Sequence, residues 1–475
     1  MLRELMAWLG YATVLYFVAM QLYLLGFTVV SGFVLRRSHH LGRFNRGTAM
    51  LSSTNAPPVS IVIAAYNEEA GIVDAIRSMS IVKYPRFEII VANDGSRDST
   101  LDALIHAFRL EKVRIPYRPD LASEPIRAIY KGRSGVDITV IDKENGGRAD
   151  ALNAGINAAR YPYVFCTDAD VILEPDCLVH AMRRVVDDRE RTVGVGGNVR
   201  PLNGSRIELG HLISASVPTR LIPRMQVLEY VRTFLASRPA WSRLNALPLV
   251  SGAFGIWKRS TLVDVGGFAR GHLGEDLDLT MRVHRMHIDR GDEYRIVYEP
   301  SAVVWTEVPD TMRVLRRQRI RWHRGLMAAM RDFKGMTFNP RYGRLGSLTW
   351  GGFFLFEYLA PIIEFIGWFV VPIAWVLGAL STTSLVWMLV LAFGAGLANS
   401  LTALLLDETY GYFNSPADTS RLVAMALLEN FGPRQMTVVW RMRALVGGHA
   451  TRSWGNMERR GVANLAQPTG TARTG

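Results

Sequence analysis

Val59-Ser60-Ile61-Val62-Ile63-Ala64-Ala65 runs straight into Tyr66-Asn67-Glu68-Glu69. A short β-branched stretch that stops at polar residues reads as a buried strand ending at an open rim. Three further stretches repeat it. Phe87-Glu88-Ile89-Ile90-Val91-Ala92 leads to Asn93-Asp94-Gly95-Ser96, and Asp137-Ile138-Thr139-Val140-Ile141 to Lys143-Glu144-Asn145-Gly146-Gly147-Arg148. Tyr163-Val164-Phe165-Cys166-Thr167 leads to Asp168-Ala169-Asp170. Helical patterns occupy residues 69–79, 99–108 and 148–159 between them. Strands alternating with helices predict an α/β domain with a mainly parallel sheet, covered by helices on both faces. Residues 109–136, richer in Pro and basic side chains, read as a long connection or insertion. In open parallel sheets ligands bind beyond the carboxyl ends of the strands, so the four polar endings outline one rim around one site.

On either side of this domain the solvent changes. The chain has 475 residues, is 49% hydrophobic and carries a net charge of +13. Much of that charge lies beside apolar segments, which points to a lipid bilayer and away from nucleic acid. Residues 5–35 are almost wholly apolar and exceed the roughly 20 residues that cross a hydrocarbon core. Arg36, Arg37, Arg43 and Arg46 follow, so the N-terminus is expected outside and the α/β domain in the cytoplasm. Residues 353–380 and 384–406 are each long enough to span, with Glu357, Pro361, Glu364 and Pro372 interrupting the first. Residues 422–446 carry Glu429, Arg434, Arg441 and Arg443 and read as interfacial or re-entrant. The expected organisation is an anchor (1–36), a basic cytoplasmic linker (37–56), the α/β domain (57–340), a membrane region of about two spans (341–448) and a partly disordered cytoplasmic tail (449–475). Cys166 and Cys177 have no CxxC or Cys/His cluster around them and read as small buried hydrophobes.

Taken singly, the rim motifs are ordinary. Asn93-Asp94-Gly95-Ser96 is turn chemistry, Glu68-Glu69 suits a helix's first turn, and two acids two apart are common in loops. Their place together at strand ends is what selects chemistry. Paired Asp residues offer hard oxygen ligands to Mg²⁺ or Mn²⁺, which also takes phosphate oxygens. Neither GxGxxG nor GxxxxGK[ST] follows the first strand, which disfavours a dinucleotide-dependent dehydrogenase and a P-loop ATPase. A metal-held diphosphate without either loop suggests a nucleotide-sugar donor.

In order and spacing, these blocks resemble the family 2 inverting glycosyltransferases. Two later motifs sharpen the resemblance: Gly274-Glu275-Asp276, and Gln318-Arg319-Ile320-Arg321-Trp322, which matches the QxxRW signature of membrane-bound processive synthases of cellulose, chitin, hyaluronan and poly-N-acetylglucosamine. The resemblance covers roughly residues 57–324 and implies a GT-A-like, Rossmann-like cytoplasmic domain flanked by transmembrane helices. It implies that Tyr66 and Glu68 border the nucleoside, that Asp94 contacts the uracil, and that Asp168 lies near the nucleoside and diphosphate. Lys143 and Arg148 join the donor side, and Asp170 is the protein ligand of Mg²⁺ or Mn²⁺. Gly252, Ala253 and Phe254, in the loop under the acceptor sugar, go with Glu275 on the acceptor side. Asp276 is the implied general base, while Gln318, Arg321 and Trp322 hold the donor diphosphate and the acceptor end. Asn93 stands where many relatives carry Asp, and Arg148 where many carry Lys; both bear on donor preference more than on activity. The implied donor is UDP-N-acetylglucosamine or UDP-glucose, the implied acceptor a growing glycan, and the implied place a bacterial inner membrane. A non-processive transferase acting on a lipid acceptor is the alternative. With few predicted spans, a polymer channel would call for an accessory membrane subunit, a second copy, or the re-entrant segment.

Overall fold

The computed structural model describes residues 1–42, 56–132, 135–413 and 415–446. The expected linker and tail therefore lie largely or wholly outside the described residues. The strands, in chain order, are β1 (Val59–Ala65), β2 (Phe87–Asn93), β3 (Leu110–Val113), β4 (Ile126–Gly132), β5 (Ile138–Lys143) and β6 (Tyr163–Asp168). They continue with β7 (Val171–Leu173), β8 (Thr192–Pro201), β9 (Arg206–Glu208), β10 (His211–Ser214), β11 (Gly255–Lys258) and β12 (Arg295–Thr306). All but β9 and β10 form one sheet in the order β3-β4-β5-β2-β1-β6-β11-β8-β12-β7.

At its centre β5, β2, β1 and β6 are parallel. Covered on both faces, they read as near-continuous apolar runs. The helices Ile72–Ser80, Thr100–Phe108 and Arg148–Ala158 connect them, close to the expected positions. The chain lays β2 and then β5 on one side of β1 and β6 on the other, which creates a topological switch point beside β1. Register does the rest. Ala65 lies opposite Asn93, Asn93 opposite Asp142 and Ala64 opposite Asp168, so the polar endings come level at one edge.

Residues 109–136 differ from expectation. β3 and β4 pair antiparallel with each other, and β4 with β5, so much of this stretch extends the sheet at its edge. Edge strands carry charged residues on their open side, which masks the alternation a strand is recognised by. The far half of the sheet is mixed as well: β11 runs antiparallel to both β6 and β8, and β12 parallel to β8.

Two helical segments, Leu2–Arg37 and Thr382–Glu408, are long and apolar enough to cross a membrane. Leu345–Tyr358 and Ala360–Val376 form a pair bent by 41°, which makes up to three spans if the pair is one. The bend falls where the π-helical turn Phe354–Tyr358 gives way to a helix with Pro361 in its first turn, a position that suits proline. Residues 422–446 fall within two short helices, Pro416–Leu428 and Pro433–Val446, of 13 and 14 residues, too short to span. The long apolar helices and the sheet are tied by a buried ion pair. Arg200, at the end of β8, pairs with Asp407 at the end of the second long helix and lies 4.3 Å from the centre of the Tyr412 ring.

Candidate active site

The loops after β1 and β2 are fastened to each other. Asn67, in a left-handed backbone conformation, donates its N–H to Ser96 Oγ (3.0 Å) and accepts from Arg97 N (2.8 Å). Glu68 N donates to Thr100 Oγ1 (2.8 Å), and Glu69 accepts from Ser99 N (2.9 Å). The clasp uses Asn67 and Glu69 and leaves the Tyr66 ring exposed at the rim.

Beneath it lies a buried charge cluster. The Asp94 carboxylate accepts from Lys143 Nζ (2.7 Å), Gly146 N (2.9 Å), Gly147 N (2.7 Å) and Asn145 Nδ2 (3.1 Å). These partners use most of what two carboxylate oxygens can accept. Asp94 therefore shapes the Lys143–Arg148 loop. Lys143, implied on the donor side, is 0% exposed and also meets Asp150 at 2.5 Å, so its ammonium is turned inward between two carboxylates. Gly95 adopts a φ of +66°, and a Cβ there would come within 3.0 Å of Asn145 N, so a side chain would disturb the same loop.

Arg148 is the centre of the site. Its Nε donates to Asp168 (2.6 Å), Nη1 to Glu275 (3.1 Å) and Nη2 to the Gly252 carbonyl (2.7 Å). One planar fork thus joins the end of β6, the start of helix Glu275–Arg290 and the 251–254 loop. Burial works against the Arg148 charge, but the carboxylates of Asp168 and Glu275 outweigh it and raise its pKa. Burial pushes the Glu275 carboxyl up from its usual range, with Arg148 as the opposing influence.

Asp276 follows on the same helix. Its carboxylate accepts from Gly252 N (3.2 Å) and Leu277 N (2.9 Å), and it lies in the first helical turn, where the macrodipole favours negative charge. Gly252 touches both Arg148 and Asp276, so the loop couples the two. Ala253 takes part through its carbonyl, which accepts from Thr167 Oγ1 (2.8 Å). Phe254 departs from expectation: its ring is buried in the core against Phe165, leaving only backbone to face a ligand at that position.

Asp168 and Asp170 flank the turn after β6, and Asp170 accepts from Thr306 Oγ1 at 3.3 Å. Among the described residues no three His, Cys, Asp or Glu side chains form a metal cage. Two carboxylates suit a Mg²⁺ or Mn²⁺ ion whose other ligands are water and phosphate oxygens, so the donor set fits that kind of ion.

The QxxRW residues lie on helix Met312–Asp332. Gly325 on this helix backs directly onto Gly274, and a Cβ on Gly325 would lie 3.1 Å from Gly274. That close approach sets the helix against the start of the one carrying Asp276. Arg321 lies near enough to Glu275 to help hold it ionised, while Gln318 Oε1 is buried without a hydrogen-bond partner. Trp322 is 42% exposed, with the Arg319 guanidinium 4.3 Å from its ring centre. Sequence reading passed over Arg319, which is buried and paired with Glu229 at 2.7 Å. Its signal was available: it is the remaining charged position inside the motif.

A cavity of about 400 Å³ lies between this region and the long apolar helices. Arg238, Trp241, Phe353 and Phe356 contribute to its wall. Arg238 was missed too, although an arginine in the mostly apolar run Thr233–Trp241 is a recognisable anomaly.

A poly-β-1,6-N-acetyl-D-glucosamine synthase of Staphylococcus aureus is 31% identical over 277 residues, which is 58% of this chain and 56% of the relative. This chain thus spans little more than half the length of that relative. The Staphylococcus epidermidis synthase is 29% identical over 320 residues, 65% of this chain and 66% of that one. A mannosyltransferase of Pyrobaculum calidifontis, solved with GDP-mannose and Mn²⁺, superposes with a TM-score of 0.48 at 18% identity, covering 90% of this chain and 98% of its own. The pattern of "Glycosyltransferase like family 2" matches residues 57–325, from just ahead of β1 to just past the QxxRW motif, and the chain belongs to that family.

Proposed function

We propose that the protein is a membrane-bound inverting glycosyltransferase that moves N-acetylglucosamine from UDP-N-acetylglucosamine onto the end of a growing β-linked glycan. UDP-glucose is the second donor to test. The observation that carries the reading is the Arg148 fork, which ties the donor-side Asp168 to the acceptor-side Gly252 and Glu275 and so to Asp276. The relatives' naming as poly-β-1,6-N-acetyl-D-glucosamine synthases supports the choice of sugar.

In the proposed reaction the acceptor hydroxyl oxygen attacks the anomeric carbon while the bond to UDP breaks on the opposite face. Asp276 takes the hydroxyl proton; two backbone N–H groups at a helix start fix its carboxylate in place for this. Tyr66 and Glu68 border the nucleoside, and Asp94 and Lys143 act from below by shaping the loop that Arg148 ends. Gln318 and Arg321 face the diphosphate, and Trp322 offers the acceptor sugar an apolar face. Asp170, with Asp168 beside it, would hold a Mg²⁺ or Mn²⁺ ion whose charge stabilises the departing diphosphate. The catalytic domain is assigned to the cytoplasmic face of a bacterial inner membrane, with the long apolar helices in the bilayer and an accessory membrane subunit as a further partner.

The test measures UDP release by the detergent-purified protein from UDP-N-acetylglucosamine and UDP-glucose, with Mg²⁺, Mn²⁺ or EDTA, and sizes the products. Asp276→Asn should retain UDP binding and lose about 10²–10⁴-fold in kcat. Long products support elongation. Products one or a few sugars long on extracted lipid would put single transfer to a lipid acceptor in its place. Absence of both UDP release and UDP binding would end the reading.

A further inference from the structure

Arg238 begins the helix Arg238–Arg243, directly after the π-helical turn Arg232–Ser237. Its side chain is 4% exposed and its guanidinium lies 4.0 Å from the centre of the Phe234 ring. Nη1 is buried and has no hydrogen-bond partner. A buried cation normally has a carboxylate beside it, because desolvation is costly without one.

Every other charged residue lining the cavity does. Arg232 pairs with Glu429 (2.7 Å), Arg434 with Glu364 (3.1 Å), Arg441 with Glu357 (3.2 Å) and Glu229 with Arg319 (2.7 Å). Among the described residues of this wall, Arg238 alone is a charged group with no partner within ion-pair distance, and the Asp276 carboxylate acts on it only from farther off. Trp241, one helical turn further on, lines the same space beside Tyr23. One unsatisfied donor beside the rings of Trp241, Phe353 and Phe356 is complementary to a ligand with an apolar face and an oxygen acceptor.

We propose that Arg238 is an acceptor-specificity residue, whose free Nη1–H binds the acetamido carbonyl of an N-acetylated sugar in this cavity and whose charge excludes a sugar bearing a free ammonium group. The inference rests on the proposed transfer of N-acetylglucosamine. A carbonyl oxygen satisfies the orphaned donor. An ammonium group supplies no acceptor and places a second cation in a space of low dielectric, so recognition and rejection come from one side chain.

The test is a binding measurement that needs neither donor nor turnover. A β-linked N-acetylglucosamine hexamer and its fully deacetylated counterpart are titrated at neutral pH into the detergent-purified full chain, its Arg238→Met variant and its Arg238→Lys variant. The wild type should bind the acetylated hexamer at least tenfold more tightly. Arg238→Met should bring the two affinities within about threefold, and Arg238→Lys should keep discrimination against the deacetylated hexamer, with an unchanged elution profile confirming the fold of each. Equal binding of both hexamers by the wild type, no binding of either, or undiminished preference in Arg238→Met would overturn the inference. UDP release on the same preparations reports separately on the transferase reading, so each can fail without the other.

Discussion

Replacing Arg148 with methionine tests the centre of the proposed site. The substitution keeps most of the length and removes the fork, leaving Asp168, Glu275 and the Gly252 carbonyl without their shared donor. Breaking a buried pair by deleting one partner costs about 3–5 kcal/mol. The Glu275 share has a ceiling, because the carboxyl can take up a proton instead. From its ordinary value of 4.5 to a buffer at pH 7, that ceiling is about 3 kcal/mol. Asp168 is less buried and adds less, and the lost bond to Gly252 adds about 1 kcal/mol. A loss of about 3–5 kcal/mol at neutral pH follows. The sign of its pH dependence is set by Glu275. Burial already raises this group above its unfolded value, so its contribution is retained at low pH and lost as pH rises; without Arg148 the loss is larger. The deficit of Arg148→Met against wild type should therefore shrink as the buffer is acidified. Activity should fall about 10²-fold in kcat/KM, since Gly252 moves and carries with it one of the two N–H groups that hold Asp276. Arg148→Lys should lie between, because an ammonium cannot reach three directions at once. Melting followed by intrinsic fluorescence across pH, beside UDP release, measures both effects. A variant that melts with the wild type at neutral pH, or whose deficit grows on acidification, refutes the reasoning.

Asn93→Asp should be unfavourable in this chain. Asn93 Nδ2 donates to Asp142 at 2.8 Å, and an aspartate would set two carboxylates together with Asn93's position 2% exposed, so about 2 kcal/mol should be lost at neutral pH and regained below about pH 5 in thermal melts. His323 accepts from Arg441 Nε at 3.3 Å and is held down to about 3 by burial and by that charge. Its unfolded form binds a proton near 6.5 and its folded form does not, so the wild type should lose about 1.4 kcal/mol per pH unit on acidification from 6.5 toward 3. His323→Phe should remove that part of the slope; an unchanged difference profile would count against the assignment.

The central strands were legible because a buried parallel strand is apolar along its whole length, as in Ile61-Val62-Ile63, and ends abruptly in polar residues. The rim motifs were legible for the same reason. β3 and β4 were not, since an edge strand such as Leu110-Glu111-Lys112-Val113 carries charge on its open side. Lys143 shows a different gap. Its place in a motif says nothing of whether its ammonium faces the ligand or two buried carboxylates, and the answer lies in Asp94 and Asp150, 49 and 7 residues away in the chain.

By itself the sequence determined the alternation of strand and helix, the apolar lengths at either end and the order of the six motif blocks, because periodicity and spacing are local properties of the chain. Only the tertiary structure decided which side chains meet. Arg148 reaches a glutamate 127 residues on and a carbonyl 104 residues on, and Phe254 turns into the core while nearby Gly252 touches Asp276. Arg238 is an unpaired cation only in the packed molecule. Ion pairing and burial depend on distances across the fold, and those distances do not exist until the sheet and the helices, the long apolar ones included, have closed around them.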